Sequence, residues 1–170
     1  KRAIKIYKRY GGNLVSILKE HPYRLAIDIE GIGFLTADRI AMKMGISKDD
    51  PERISAALVH CMEESTSQGH CYLPQNELFQ VAEKMLQIPT QNLSESLESM
   101  INEEYLFRYE AEQPIIYLRR LHFQETRVPE MLKKIHLNPF KRNFPNADKI
   151  IEEVEIQMKI NFSNEQKIAI

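Results

Sequence analysis

The chain has 170 residues, 43% of them hydrophobic and 28% charged, with a formal net charge of −1. That length suits one medium domain or two small ones. No apolar run is long enough to span a bilayer and there is no signal-peptide layout, which argues against a membrane partner. The two cysteines, Cys61 and Cys71, make no disulfide framework and fit a reducing, cytoplasmic setting.

The near-neutral total hides a division. Residues 1–24 carry seven Lys or Arg and one Glu, a net of +6. Residues 52–112 carry three basic and eleven acidic side chains, net −8, and residues 119–149 return to eight against three, net +5. Basic ends around an acidic middle favour localised contacts with a polyanion, although solvated helix faces produce similar runs.

In chain order, residues 2–10 read as a helix that stops at Gly11-Gly12. Asn13 is placed to cap a short helix through Leu14, Ile17 and Leu18, which His21-Pro22 breaks. Tyr23 to Ile29 form one helical arm and Leu35 to Met44 a second, joined by Gly31-Ile32-Gly33. The glycines permit backbone angles and close approaches that a side chain obstructs, while Ile32 can turn inward and pin the turn. Ala37 allows close helix packing, and Ile40, Ala41 and Met44 continue the apolar stripe. The first amides of the second arm lack intrahelical acceptors at the positive end of the helix dipole, where an anion such as a DNA phosphate fits. This pattern resembles a helix-hairpin-helix, which grips nucleic-acid backbone without reading sequence. A bare helix-turn-helix corner uses the same residues.

Asp50-Pro51 starts a helix that carries Ile54, Leu58 and Met62 to about Ser67. A short extended piece, Gly69 to Pro74, precedes a helix from Gln75 to Leu86. After Pro89, Asn92 or Ser94 opens a further helix through Leu97, Met100 and Ile101. Residues 105–109 and 115–118 are β-like runs joined by a polar turn, the element order of a winged helix. Arg119 to Ile135 is expected to be helical but interrupted near Pro129. A loop over 138–146 and a last helix from Asp148 to Ile160 follow. The fold expected is mainly α: a helix-hairpin-helix module over 1–50 (its first hairpin truncated), and a winged-helix-like domain over 51–118 with a small antiparallel β-hairpin. A helical connector spans 119–161, and 162–170 is a separate closing segment.

Several stretches occur in an order that is similar to one family. They are Tyr10-Gly11, Pro22-Tyr23-Arg24-Leu25, Gly31-Ile32-Gly33-Phe34, Thr36-Ala37-Asp38-Arg39-Ile40-Ala41, Gly69-His70 with Tyr72-Leu73-Pro74, and Phe162 to Ile170. Together they resemble the region preceding the motor of the RecD/TraA family of bacterial DNA helicases, the stand-alone RecD-like branch. The resemblance implies a non-catalytic, N-terminal DNA-binding segment of an ATP-dependent 5′-to-3′ helicase acting in repair or recombination. It also implies that 162–170 is similar to a helicase Q motif, with Gln166 as adenine reader and ATP and magnesium bound only by the parent protein. Leu35 departs from the family pattern, where a basic or polar residue is usual.

No Gly-x-x-x-x-Gly-Lys-Ser/Thr occurs, so neither a catalytic residue nor a nucleotide site is expected within this stretch, which reads as an excised fragment. The backbone-binding residues expected are Gly31, Ile32, Gly33, Phe34, Leu35, Thr36, Arg39 and Lys43, acting on single-stranded or forked DNA. The third helix of the winged-helix-like domain offers Ser94, Glu95, Glu98, Asn102 and Glu103, which should repel DNA. Its acidity suits the alternative of a protein-interaction module that docks partners or the helicase's own motor. A structural adaptor without DNA contact is a third reading. His60-Cys61 and His70-Cys71 lack the spacing of a zinc site, so no metal is expected. Phe162 to Ile170 is expected to be loosely held.

Overall fold

The computed structural model describes residues 2–137 and 146–169, so most of the loop expected over 138–146 lies outside the described residues. The chain divides into two compact units, Lys1–Val128 and Pro129–Ile170. No helix among the described residues is long and apolar enough to cross a membrane.

The first unit opens with α1 (Arg2–Tyr10), a tight 3₁₀ turn and α2 (Leu14–Glu20). The pair α3 (Arg24–Asp28) and α4 (Phe34–Lys43) forms the hairpin. Next come α5 (Pro51–Ser67), β1 (Tyr72–Pro74), α6 (Gln75–Leu86) and α7 (Thr90–Asn102). Strands β2 (Leu106–Tyr109) and β3 (Ile115–Leu118) lead into α8 (Arg119–Leu137), which carries the chain into the second unit. There α9 (Ala147–Met158) and α10 (Asn164–Ala169) follow. The protein is mainly helical with a small antiparallel sheet.

Helix α5 organises the first unit. Ile54, Ala57, Leu58, Cys61, Met62 and Ser65 recur at helical spacing and are all buried. Against that stripe pack Leu25 and Phe34 of the hairpin, Leu78 and Ala82 of α6, Leu93 and Leu97 of α7, and Leu106 and Ile116 of the sheet, in one continuous cluster. Fully burying each such Leu or Ile stabilises the fold by about 1.5–3 kcal/mol relative to exposure. The hairpin and the sheet-bearing half therefore share a core instead of each building its own.

The extended piece before α6 is the third strand of the sheet, whose order is β1-β3-β2. Tyr72 pairs with Tyr117, and Leu106 with Leu118, both antiparallel. Leu106 and Ile116 face the core, while Phe107, Tyr109 and Tyr72 lie on the exposed side.

Three local expectations are corrected. Asn13 makes no side-chain cap: its backbone (φ −86°, ψ 1°) is not the extended conformation from which a cap reaches forward. Helix α7 begins at Thr90, because Pro89 is already extended (φ −64°, ψ 148°) and the helix starts directly after it. Helix α8 continues through Pro129. A proline there removes one amide opposite the Glu125 carbonyl, and in so exposed a stretch water can satisfy that carbonyl.

Candidate nucleic-acid interface

Between α3 and α4 the chain turns in five residues, Ile29 to Gly33. Gly31 takes φ +87°, the left-handed region that strains any L side chain. Gly33 is extended (φ −93°, ψ 176°) and stands at the N-cap of α4, and a Cβ added there would meet no atom within 4 Å. Both glycines are exposed, whereas Ile32 between them is buried and anchors the turn.

The start of α4 is open. Gly33 supplies no capping side chain, and among the described residues the amides of Phe34 and Leu35 meet no acceptor. The Thr36 amide, expected to belong to the same set, donates to the Gly33 carbonyl at 3.0 Å, as does Ala37 at 3.2 Å. The donor site therefore narrows to two amides beside two exposed glycines. Leu35 is 57% exposed at this end, and Arg39 and Lys43, also exposed, follow at four-residue intervals.

Phe34 faces inward. Its ring stacks between Tyr23 (centroids 5.8 Å apart) and His60 (5.4 Å), so it holds the turn against α5 and offers no ring to a ligand.

A polar cluster behind the hairpin fixes its position. Arg53 of α5 is only 5% exposed. Its Nε and Nη2 donate to the two carboxylate oxygens of Asp38 on α4 at 2.8 and 3.2 Å, and its Nη1 donates to the Lys48 carbonyl at 2.8 Å. The Tyr23 hydroxyl also donates to Asp38, at 2.7 Å. Burial works against the Arg53 charge, but the Asp38 carboxylate outweighs it and keeps the guanidinium charged. Burial, then the bond to Asp38, pushes the Tyr23 phenol well above its ordinary range. Sequence reasoning assigned these residues no role. The signal was an arginine at 53, one turn before Ala57, on the apolar stripe of α5.

The basic charge of α1 is partly spoken for. Tyr10 donates to Asp28 at 2.9 Å, Arg9 and Arg24 approach the same carboxylate at 3.8 and 3.5 Å, and Lys5 donates to the Glu30 carbonyl. These contacts fasten α1 to the end of α3. On α7, Glu98 is held by the Arg108 guanidinium of β2, while Glu95 is exposed.

In the second unit Gln166 has a local task. The Gln166 Oε1 accepts from the Ser163 amide at 2.8 Å, and the Ser163 hydroxyl accepts from the Gln166 amide at 3.3 Å. This is a capping box at the start of α10. Glu155 of α9 accepts from the Phe162 amide at 2.7 Å and from Lys167 at 2.9 Å, so the closing segment is fastened, contrary to the expectation that it is loose. The lysine and the Phe162 amide hold the Glu155 carboxyl below the usual range.

Cys61 is buried in the core, which pushes its thiol up to about 11, and Cys71 is exposed. Among the described residues no three His, Cys, Asp or Glu side chains converge as a metal site would require.

Two comparisons with known proteins bear on the hairpin. Residues 1–72 match the family model for the helix-hairpin-helix domain of the ATP-dependent RecD2 DNA helicase. That match runs through α5, the helix against which the hairpin is packed. The chain is also similar to the ATP-dependent RecD2 DNA helicase of Deinococcus radiodurans, 36% identical over 76 residues, which make up 44% of this chain and 10% of that protein.

Proposed function

Because this chain belongs, through residues 1–72, to the N-terminal region of the RecD-like helicase family, we propose that it is a non-catalytic DNA-binding segment of an ATP-dependent 5′-to-3′ DNA helicase acting in repair or recombination. The α3–α4 hairpin grips a backbone phosphate of single-stranded or forked DNA. One observation carries the reading: two exposed glycines lead directly into a helix start whose first amides are unengaged. A phosphate oxygen accepts from the Phe34 and Leu35 amides, Gly31 and Gly33 leave room for the sugar–phosphate chain, and Arg39 and Lys43 add point charges along α4. Ile32 and Phe34 act from behind, as buried anchors of the turn. Amides and point charges address the backbone and offer nothing to a base edge, so binding is independent of sequence.

The helix–strand–helix–helix–hairpin order of α5, β1, α6, α7 and β2–β3 reads as a winged helix that has lost the nucleic-acid face of its third helix. Glu95 and Glu98 lie where a reading helix needs to tolerate phosphates. The carboxylates instead suit contact with protein or solvent.

In the parent protein, ATP and magnesium bind at the motor, with Gln166 at the adenine. Reaching adenine in that way requires the Gln166 Oε1 to leave the Ser163 amide, or its Nε2 alone to make the contact.

The test is fluorescence anisotropy with single-stranded and forked oligonucleotides at several salt concentrations. Gly33→Val is suited to it, because the backbone there is extended and the space around the added Cβ is open. The variant is expected to keep its circular dichroism and lose at least tenfold in DNA affinity. Unchanged affinity with an intact fold rejects the hairpin as the phosphate site.

A further inference from the structure

The side of α5 away from its most buried stripe is only partly covered and forms the floor of a groove. Ala56 and Val59 are half-buried on that floor, opposite the stripe of Ala57, Leu58 and Cys61. One wall is the hairpin, through Ala26 and Ile27 with Gly33 at its end, and the other is α7 and the turn after it, through Met100 and Tyr105. All of this lies within the first compact unit. The groove has a volume of about 700 Å³ and is mostly apolar. Ile27 is 83% exposed and Tyr105 64%, an arrangement that leaves large apolar side chains in water on both walls. The floor follows α5 from Glu52 to Glu63, roughly 17 Å at a helical rise of 1.5 Å per residue, or about three turns.

Its rim is acidic. Glu52, Glu63 and Glu103 border it against one arginine, Arg24. Arg24 is itself drawn to Asp28 at 3.5 Å, and the Ser99 hydroxyl is what donates to Glu103. Arg120 meets Glu63, and His21 lies 3.5 Å from Glu52, a contact that is ionic only when the imidazole is protonated. Burial holds the Glu52 carboxyl above its usual range, a cost that a second cation nearby would relieve. A nucleic-acid strand entering here would bring its phosphates against these carboxylates, so the groove and the open start of α4 call for ligands of opposite charge.

We propose that this groove is the docking site for a basic amphipathic helix of a partner protein. Such a helix lays apolar residues at positions i, i+3, i+4 and i+7 on Ala56 and Val59, between Ile27 and Tyr105. Its lysines or arginines then reach Glu52, Glu63 and Glu103 on the rim. The inference goes beyond the DNA-binding reading and does not need it: the floor and rim belong to α5, α7 and α3, and the groove adjoins the phosphate site only at its Gly33–Phe34 end.

The experiment uses the full 170-residue chain and a fluorescein-labelled, end-blocked 14-residue peptide of leucine and lysine, with leucines at i, i+3, i+4 and i+7. Its controls are a scrambled peptide of the same composition and a glutamate-for-lysine analogue. The patterned lysine peptide is expected to bind at least tenfold more tightly than either control. Ile27→Ser, at a position so exposed that the fold should tolerate it, is expected to weaken binding at least fivefold. Glu103→Lys should weaken the lysine peptide and strengthen the glutamate analogue. A double variant Arg39→Ala, Lys43→Ala, aimed at DNA affinity, should bind the peptide as the wild type does. Equal binding of patterned and scrambled peptides would overturn the proposal, as would indifference to both groove substitutions in variants of unchanged helicity. Displacement of the peptide from the double variant by forked DNA would assign the groove to nucleic acid instead.

Discussion

Two successive helices of the first unit begin in opposite ways. Helix α5 is sealed: Asp50 accepts from the amides of Glu52 at 2.9 Å and Arg53 at 3.2 Å, and Pro51 has no amide to satisfy. Helix α4 is open, with a glycine at its N-cap and two amides unengaged. The sealed end belongs to the helix that organises the core, and the open end to a helix that packs on it but starts at an exposed turn. A start left uncapped forgoes about 1 kcal/mol that a Ser, Asp or Asn would contribute, and in exchange keeps donors available to an anion. Asp38 and Arg53 tie the two helices together, so that the open end is held in place by the sealed one.

That contrast can be broken most severely at the tie. Replacing Arg53 by Met, or Asp38 by Asn, leaves the remaining member of a buried pair without its partner, and a loss of about 3 kcal/mol is expected in urea denaturation. A loss below about 1 kcal/mol would show that the pair is not what holds the hairpin on α5.

Sealing the open end sharpens the comparison. Gly33→Asp places a carboxylate within reach of the Leu35 and Thr36 amides, as Asp50 does on α5, so it takes one of the two amides that a phosphate is proposed to use and sets a like charge beside the other. Stability is expected to stay level or rise by up to about 1 kcal/mol. DNA affinity is expected to fall at least tenfold, about 1.4 kcal/mol. Stability and affinity falling together would indicate a damaged hairpin instead. The reciprocal change, Asp50→Ala, opens the sealed end and should cost about 1 kcal/mol of stability while leaving DNA affinity unaltered.

The smallest effect expected is on pH dependence. The Tyr23 phenol titrates higher in the folded state than in the unfolded one, so the folded state retains a proton that the unfolded state releases above about pH 10. Stability therefore falls as pH rises through that range and is fully present below it. Tyr10, Tyr117 and Cys61 are shifted in the same direction, so the measurement is the difference between wild type and Tyr23→Phe. The variant should show a shallower decline between pH 9 and 11 in denaturant titrations.

The amino-acid sequence was sufficient for the elements whose causes are local. Gly31-Ile32-Gly33 between two apolar-striped arms announced the hairpin, and Asp50-Pro51 announced the start of α5. The β-like runs on either side of a polar turn announced β2 and β3, because each pattern acts within a few residues of itself. Tertiary structure decided what depended on distant partners. Nothing near Tyr72 says that β1 pairs with β3, since that register joins residues 45 positions apart. Arg53 reads as a surface charge until Asp38 and the Lys48 carbonyl converge on it. Phe34 stands in the turn's motif, yet burial between Tyr23 and His60 turns it inward. The Thr36 amide and the Gln166 carboxamide were assigned to ligands from their motifs, but each has a nearer partner in the folded chain. A motif specifies which groups are available, and only the packed molecule determines which remain unengaged, because an internal hydrogen bond within reach forms without the entropy loss of recruiting a ligand.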